Sequence, residues 1–341
     1  MRVVIVGGGM AGLTLARALQ DRGETPIVLE RAPGGARIPG PIMLPYHAYD
    51  ALEDIGALAG IRAAGWDIAP GPDGIPVAIA VGRQEVVDAL RAGVDVEHRS
   101  EVTGLIHEGD RVVGVRVTAA GGEREIASDL VVGADGVRSG VRKLAGIPAE
   151  VRRGEFAGLS FRSPVAPDVP FSMAYQSDGR QVTMVGWPGG AAGTFQIDPM
   201  PPEEAKAPGL EAYKRAFTGL LPAARAALQG VREDGDWFYR EATEVRCASW
   251  WRPGVVLIGE AAHAINPETG IGSGLGMGDA LALAVAIAGS SDPDAACRDF
   301  ETWRRPAVAP YEQLGTAGTR IVVGGGEGGA RPEAERWPPA A

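Results

Sequence analysis

A chain of 341 residues with 45% hydrophobic and 22% charged side chains can bury a large core and form two lobes sharing a cleft, which excludes a disordered or fibrous protein. Its net charge of −10 argues against nucleic acid or an anionic membrane surface as a partner, because both repel an acidic chain. Cys247 and Cys297 are the only cysteines and lack metal-ligand spacing, so neither a disulfide framework nor a metal site is expected.

Val3-Val4-Ile5-Val6 is a β-branched run without polar alternation, the pattern of a strand buried on both faces of a parallel sheet. Gly7, Gly9, Ala11 and Gly12 follow at once, and Leu15, Ala18 and Leu19 then recur at helical spacing until Gly23. Ile27-Val28-Leu29 predicts a second strand, ending on Glu30 and Arg31. In such a unit Gly7 makes the tight turn, Gly9 lets backbone approach a pyrophosphate and Gly12 lets helix and strand pack closely. The helix N-terminus offers unpaired N–H groups to phosphate. Glu30 stands near the spacing at which a carboxylate accepts from an adenosine ribose, and it would repel a 2′-phosphate.

The stretch from Pro33 to Pro41, which includes Arg37, is rich in Gly and Pro and is expected to be a loop. Short helices follow over Ala48 to Ile55 and from Arg83 through Val86, Val87 and Leu90. Val112, Val113, Val115 and Val117 read as one arm of a hairpin turned at Gly109-Asp110, with His98 and His107 on its surface. Leu130-Val131-Val132 is another buried strand and runs into Asp135-Gly136. From 151 to 245 the texture changes to short alternations such as Gln181-Val182-Thr183-Met184-Val185, which predicts a mostly antiparallel sheet covered by one helix over Glu211 to Leu228.

Val255 to Ile258 then reads as a buried strand, and Asp279 to Ile287, Ala295 to Arg305 and Val308 to Val323 as three helices, Pro306 ending the second. The predicted class is therefore α/β: a Rossmann-type dinucleotide domain from 1–150 and 246–323, with a hairpin region near 95–125, an inserted domain at 151–245, and a flexible tail at 324–341. Arg2 precedes an apolar stretch, but a single charge and the interrupting glycines do not make a secretion signal. Ala280 to Ala288 is too short to span a bilayer, so a cytoplasmic protein without stable membrane insertion is expected.

Together the motifs resemble the single-component FAD-dependent aromatic hydroxylases, the family of para-hydroxybenzoate hydroxylase. The likeness covers residues 1 to about 145 and 252 to about 323. It rests on Gly7, Gly9 and Gly12 with Glu30, on Asp135-Gly136-Val137-Arg138-Ser139-Gly140-Val141-Arg142, and on Gly259-Glu260-Ala261-Ala262-His263 followed by Pro267, Gly270, Gly272 and Asp279-Ala280. The resemblance implies bound FAD, an Arg83 contact to its phosphates, Glu260 at the ribityl chain, and Pro267, Gly270, Ile271 and Gly272 along the isoalloxazine ring. It also places Arg37 beside the segment where the flavin swings, and Asp135-Gly136 at a turn serving FAD and the passing nicotinamide donor. Glu260 stands where the family carries aspartate, which extends the carboxylate by about 1.5 Å. The stretch from Gly56 to Arg83 is short for the family, which implies a trimmed sheet.

The implied reaction is monooxygenation. NADH or NADPH reduces the flavin, O₂ forms a flavin C4a-hydroperoxide, and one oxygen passes to a hydrophobic, aromatic or polyketide-like small molecule. Monomer and homodimer both remain open. Candidate bases for such a substrate are His47 and Tyr46 after the loop and Tyr175 and Tyr239 on the inserted sheet, while His263 reads as a packing residue. Phe161, Trp187, Trp237 and Phe238 fit either an aromatic substrate wall or the core. An FAD-dependent reductase of the same fold, similar to the prenyl-chain reductases, is the alternative and would not consume oxygen.

Overall fold

The computed structural model describes residues 1–36, 38–70, 76–233 and 235–314. β1 (Val3–Val6) leads into α1 (Met10–Gln20), and β2 (Ile27–Glu30) returns beside β1. β3 (Pro41–Pro45), α2 (Tyr49–Asp54), α3 (Leu58–Ala63), β4 (Trp66–Pro70) and β5 (Pro76–Gly82) follow, the strands pairing as a small antiparallel sheet with β5 in the middle. α4 (Arg83–Arg91) and β6 (Val96–His98) rejoin the first sheet, and β7 (Glu101–Glu108), β8 (Arg111–Ala119) and β9 (Gly122–Ala127) form a meander. β10 (Leu130–Gly133) and α5 (Gly140–Leu144) complete this half.

β11 (Ala149–Ser163), β12 (Phe171–Tyr175), β13 (Gln181–Trp187) and β14 (Gly190–Ile197) build a second large sheet, overlaid by α6 (Pro202–Lys206), α7 (Leu210–Leu220) and α8 (Arg225–Gln229). β15 (Trp237–Cys247) returns along β11, β16 (Trp251–Arg252) and β17 (Val255–Leu257) go back to the first sheet, and β18 (His263–Ala264) adds to the second. α9 (Gly272–Gly289) and α10 (Pro293–Leu314) close the fold.

The first sheet has the order β16-β17-β10-β1-β2-β6 and is parallel apart from β16. Every residue of β1 and β10 is buried, as uninterrupted apolar runs between two layers require. The chain leaves β1 toward β2 on one side and reaches β10 on the other, so a crevice opens at their carboxyl ends, where α/β folds bind nucleotides.

The second sheet, β12-β13-β14-β11-β15-β18, is antiparallel throughout. One face carries Leu159, Phe161, Val182, Met184 and Trp237 and packs on Tyr213 and Phe217 of α7. The other face carries Ser160, Thr183, Val185 and Thr194 and is turned toward the crevice. The small sheet β3-β5-β4 leans on that face through Met43, Ala78, Ala80, Phe171 and Val185.

Several local expectations are corrected. α9 begins seven residues before the predicted Asp279 and is long and apolar enough by composition to cross a membrane, but it is 67% buried between α1 and α10. α10 runs through Pro306 and Pro310 where a break was expected, held by buried Ala296, Cys297, Phe300 and Val308. The helix predicted over Glu211 to Leu228 is two helices, because Pro222 forces Leu221 to φ −130° and ψ 78°. His98 lies in β6 of the parallel sheet, not on the meander, and its Nδ1 stands 3.3 Å from the Ala32 carbonyl. The predicted tail and the end of the predicted last helix lie outside the described residues.

Candidate active site

The crevice starts where the first two motifs touch. Gly7 has φ +115°, and a Cβ there would lie 2.4 Å from the Ala134 carbonyl oxygen at the end of β10, so only glycine closes this contact. A Cβ on Gly12 would lie 2.0 Å from the Gly7 carbonyl oxygen, which fixes how α1 sits on the turn. Gly9 behaves differently. It caps α1, and a Cβ there would meet nothing within 4 Å. That open side, beneath the free N–H groups of the helix, is shaped for a pyrophosphate, so the cradle fits a dinucleotide.

Glu30 rims the same turn. Its two carboxylate oxygens accept from the Gly8 N–H at 2.8 Å and the Ala32 N–H at 2.7 Å, and each retains lone-pair capacity for a ribose hydroxyl. Arg31 is exposed beside it, and Arg37 lies outside the described residues.

In the second motif the Asp135 carboxylate is bound into the protein. It accepts from the Ser139 hydroxyl at 2.5 Å and from the N–H groups of Gly140 and Val141 at 2.7 and 3.0 Å, capping α5. The turn meets the crevice through Ala134 and Gly136. Buried Arg142 donates to the carbonyls of Ala261 at 2.8 Å and Val137 at 2.9 Å, tying the second motif to the third.

The third motif hangs on Asp279 of α9. This fully buried carboxylate accepts from the Gly259 N–H at 2.9 Å and from Arg304 Nε at 2.9 Å, and lies 2.6 Å from His263 Nε2. Burial by itself would raise its pKa, but the charges of His263 and Arg304 and these hydrogen bonds hold it at about 2. The Gly259-Glu260 turn is thus anchored from behind, and the exposed Glu260 side chain stands in the crevice. Pro267, Gly270 and Gly272 continue the wall, while Ile271 points into the core and leaves its backbone to start α9.

All three motifs line one cavity of about 400 Å³. Gly9, Gly136, Glu260, Pro267, Gly270 and Gly272 contribute from the turns and helix starts around the first sheet, and Phe171, Thr183, Val185, Ala192, Thr194 and Arg240 from the antiparallel sheet. Arg83, the first residue of α4, enters at the mouth, its Nε donating to the Pro41 carbonyl at 3.2 Å. Its side chain reaches solvent because the crevice is open, yet the walls enclose it. Desolvation by these walls and the charges of Arg240 and Arg162 lower its pKa, with Glu260 acting in the opposite sense.

Comparison with known proteins places this geometry. Residues 85–308 match the FAD binding domain family. The chain belongs to that family. Residues 1–163 also match the pyridine nucleotide-disulphide oxidoreductase family, which covers the first glycine cradle.

The chain is 28% identical to 3-amino-4-hydroxybenzoate 2-monooxygenase of Streptomyces cremeus, over 91% of this chain and 84% of that protein. It is 29% identical to kynurenine 3-monooxygenase of Salinispora arenicola, over 93% and 79%. Among solved structures, a point mutant of 2-methyl-3-hydroxypyridine-5-carboxylic acid oxygenase superposes with a TM-score of 0.80 at 23% identity, covering 99% of this chain and 97% of that one. HpxO of Klebsiella pneumoniae, complexed with FAD and uric acid, gives 0.77 at 19% identity, over 95% and 89%. FAD is therefore the cofactor, and the chain is an oxygen-using FAD-dependent monooxygenase and not the reductase weighed as the alternative.

In this family member none of the four residues considered as bases lines the cavity. His47 Nε2 stands 2.6 Å from the Tyr311 hydroxyl, and Tyr46 stacks on the His47 ring at 4.0 Å. Tyr175 is at the exposed end of β12. Tyr239 lies on the α7-covered face of the sheet, its hydroxyl donating to Glu241 at 2.8 Å and accepting from the Met200 N–H at 3.2 Å. Phe161 and Trp237 also belong to that covered face. Phe171, Thr194 and Arg240 went unnoticed in the sequence; an arginine amid strand alternation was the available signal.

Proposed function

We propose that the protein hydroxylates a hydrophobic ring compound of the aromatic or polyketide-like class with electrons from NADH or NADPH, in the cytoplasm, as a monomer or homodimer. The observation that carries this reading is the shared cavity, in which the cradle, the Glu260 turn and the start of α9 face the side of the antiparallel sheet that presents Phe171, Thr183, Val185, Thr194 and Arg240. The match of residues 1–163 to the pyridine nucleotide-disulphide oxidoreductase family supports a nicotinamide donor to the flavin, and relatives acting on an aminohydroxybenzoate and on kynurenine support the choice of substrate.

Gly9 and the N-terminus of α1 would hold the pyrophosphate, Glu30 the adenosine ribose, Arg83 the phosphate charge and Glu260 the ribityl hydroxyls. The Gly270 to Gly272 backbone at the start of α9 would donate to the carbonyl edge of the ring, where N–H groups and the helix dipole favour negative charge. Bound there, FAD supplies two-electron transfer and the activation of O₂. Ile42, Met43, Phe171, Val185 and Ile265 give the cavity an apolar part of its wall, which would help to keep water from the reacting centre.

The test is a visible spectrum of the purified protein followed by NADH and NADPH titration in air with a panel of aromatic ligands. A yellow protein whose nucleotide oxidation and O₂ uptake rise with ligand supports the reading. A protein that stays colourless with added FAD, or oxidises the nucleotide without O₂ uptake, refutes it.

A further inference from the structure

The antiparallel sheet has a fault in its longest pairing. Arg153 of β11 pairs with Thr243 of β15, but Ala157 pairs with Glu241, so β11 carries two residues more than its partner between these points. A bulge of this kind breaks the ladder and re-aims side chains. Beside it lies a compartment of about 10 Å³. Its rim is Phe156 and Ala242, both half-buried, and its inner wall is Gln196 and Asn266, both buried. Arg240 and Pro267 line this compartment and the main cavity alike, so they form the partition between the two.

The inner wall holds a donor whose direction is fixed. Gln196 of β14 is 2% exposed and is paired with Gly158 of β11, itself paired with Arg240 of β15, and neighbours in such a row face the same side. The Gln196 Oε1 accepts from the Gln181 N–H at 2.7 Å. A backbone N–H can only donate, so the amide cannot be turned over, and Nε2 has no hydrogen-bond partner among the described residues. Empty cavities in proteins are apolar and buried donors are paired, so a compartment with this donor in its wall takes a small acceptor. Its size is that of a single water, which needs about 10–15 Å³.

A monooxygenase takes up O₂ and releases water in every turnover, one oxygen atom going to the product and the other, with two electrons and two protons, to water. With cofactor and substrate seated in the main cavity of about 400 Å³, little of its mouth is left for either. We infer that the compartment behind Pro267 is a rear port, through which dioxygen reaches the reacting centre and water leaves it. The port admits molecules of two or three atoms and rejects ring compounds and nicotinamides by size. Gln196 Nε2 holds the water that waits there, and Phe156 and Ala242 set the width of the outer end.

The test uses the FAD-loaded protein, reduced anaerobically with stoichiometric dithionite and mixed with oxygenated buffer while the return of flavin absorbance is followed. Ala242→Leu fills the rim of the port and should lower the second-order rate constant for O₂ about threefold to tenfold. Adding Phe156→Ala to that variant vacates space beside the new side chain and should restore the rate to within about twofold of wild type. FAD dissociation constants should stay within about twofold in both variants, because the cofactor enters from the crevice. A crystal structure of the FAD-loaded wild type should show an ordered water about 2.7–3.2 Å from Gln196 Nε2.

An O₂ rate for Ala242→Leu within about twofold of wild type would mean that oxygen enters by the crevice mouth, and would overturn the port. Equal slowing in the single and double variants would mark general damage to the sheet and count against it as firmly, as would a dry compartment in the crystal structure. Where Ala242→Leu does not fold, Phe156→Trp narrows the same rim and is read by the same criterion.

Discussion

Gly9→Ala and Gly12→Ala should fail in opposite ways although both remove a motif glycine. At Gly12 the new Cβ would sit 2.0 Å from the Gly7 carbonyl oxygen, a backbone atom that cannot move without shifting the turn between β1 and α1. Overpacking of this kind costs about 1–3 kcal/mol, and the FAD-free protein should lose several degrees of Tm, at roughly 2–4 °C per kcal/mol for a large domain. At Gly9 the backbone has φ −80° and ψ −177°, open to any residue, and the methyl meets nothing within 4 Å. Reduced freedom of the unfolded chain, worth about 0.4–1 kcal/mol, and the poorer capping of alanine, of similar size, nearly cancel. The methyl would project into the space proposed for the pyrophosphate, and losing one or two charge-assisted hydrogen bonds at about 1.5–3 kcal/mol each should weaken FAD at least tenfold. Thermal scans of FAD-free protein and FAD titration of each variant separate the two. Native FAD affinity in Gly9→Ala, or a loss of Tm in FAD-free Gly9→Ala as large as in Gly12→Ala, would refute the assignment of the cradle.

Asp279→Asn should cost about 3–5 kcal/mol in denaturant unfolding and release FAD, because Arg304 loses its buried counter-charge and the Gly259-Glu260 turn its anchor. The Asp279 carboxyl, held at about 2 in the fold against about 4 unfolded, contributes roughly 2 kcal/mol that is present in full above pH 4 and lost as pH falls toward 2, which acid unfolding of the wild type and Asp279→Asn would reveal as a difference in slope. Arg142→Lys should lose one of the two carbonyl contacts, to Ala261 or Val137, lower stability by about 1–3 kcal/mol and weaken FAD, since one ammonium cannot span both acceptors as the guanidinium fork does. Burial pushes the Cys247 thiol up to about 11 and Cys297 higher still, so iodoacetamide at pH 8 should leave both unmodified in the native protein and alkylate both in urea.

The parts of the fold legible in the sequence were those set by local physics. Four β-branched residues ahead of Gly7 required a buried parallel strand, and Gly7, Gly9 and Gly12 required a helix start beside a second strand. The start of α9 was hidden because Gly272, Gly274, Gly276 and Gly278 disfavour helix one residue at a time. Tertiary contact reverses that preference: a Cβ on Gly274 would lie 2.8 Å from Pro45, one on Gly276 3.3 Å from Gly259, and one on Gly278 3.0 Å from Arg304. Only a glycine-faced helix comes this close to its neighbours, and no periodicity announces it. α10 likewise tolerates Pro306 and Pro310 because buried Phe300 and Val308 clamp it on either side. On the antiparallel sheet, alternation was visible but its phase was not, and a single step of phase exchanges Tyr239, on the covered face, for Arg240, at the cavity.

The last pairing of the antiparallel sheet joins Val245 to Ala264 and Arg246 to His263. The sheet that floors the substrate end is therefore hydrogen-bonded to the segment that emerges from the Glu260 turn, so the two ends of the cavity are one splinted frame and not two plates on a hinge. Strain imposed on this floor by an ill-fitting ring would travel through β15 into the cofactor's own mooring. Such a protein would report the shape of its guest in the colour of its flavin before any bond is made.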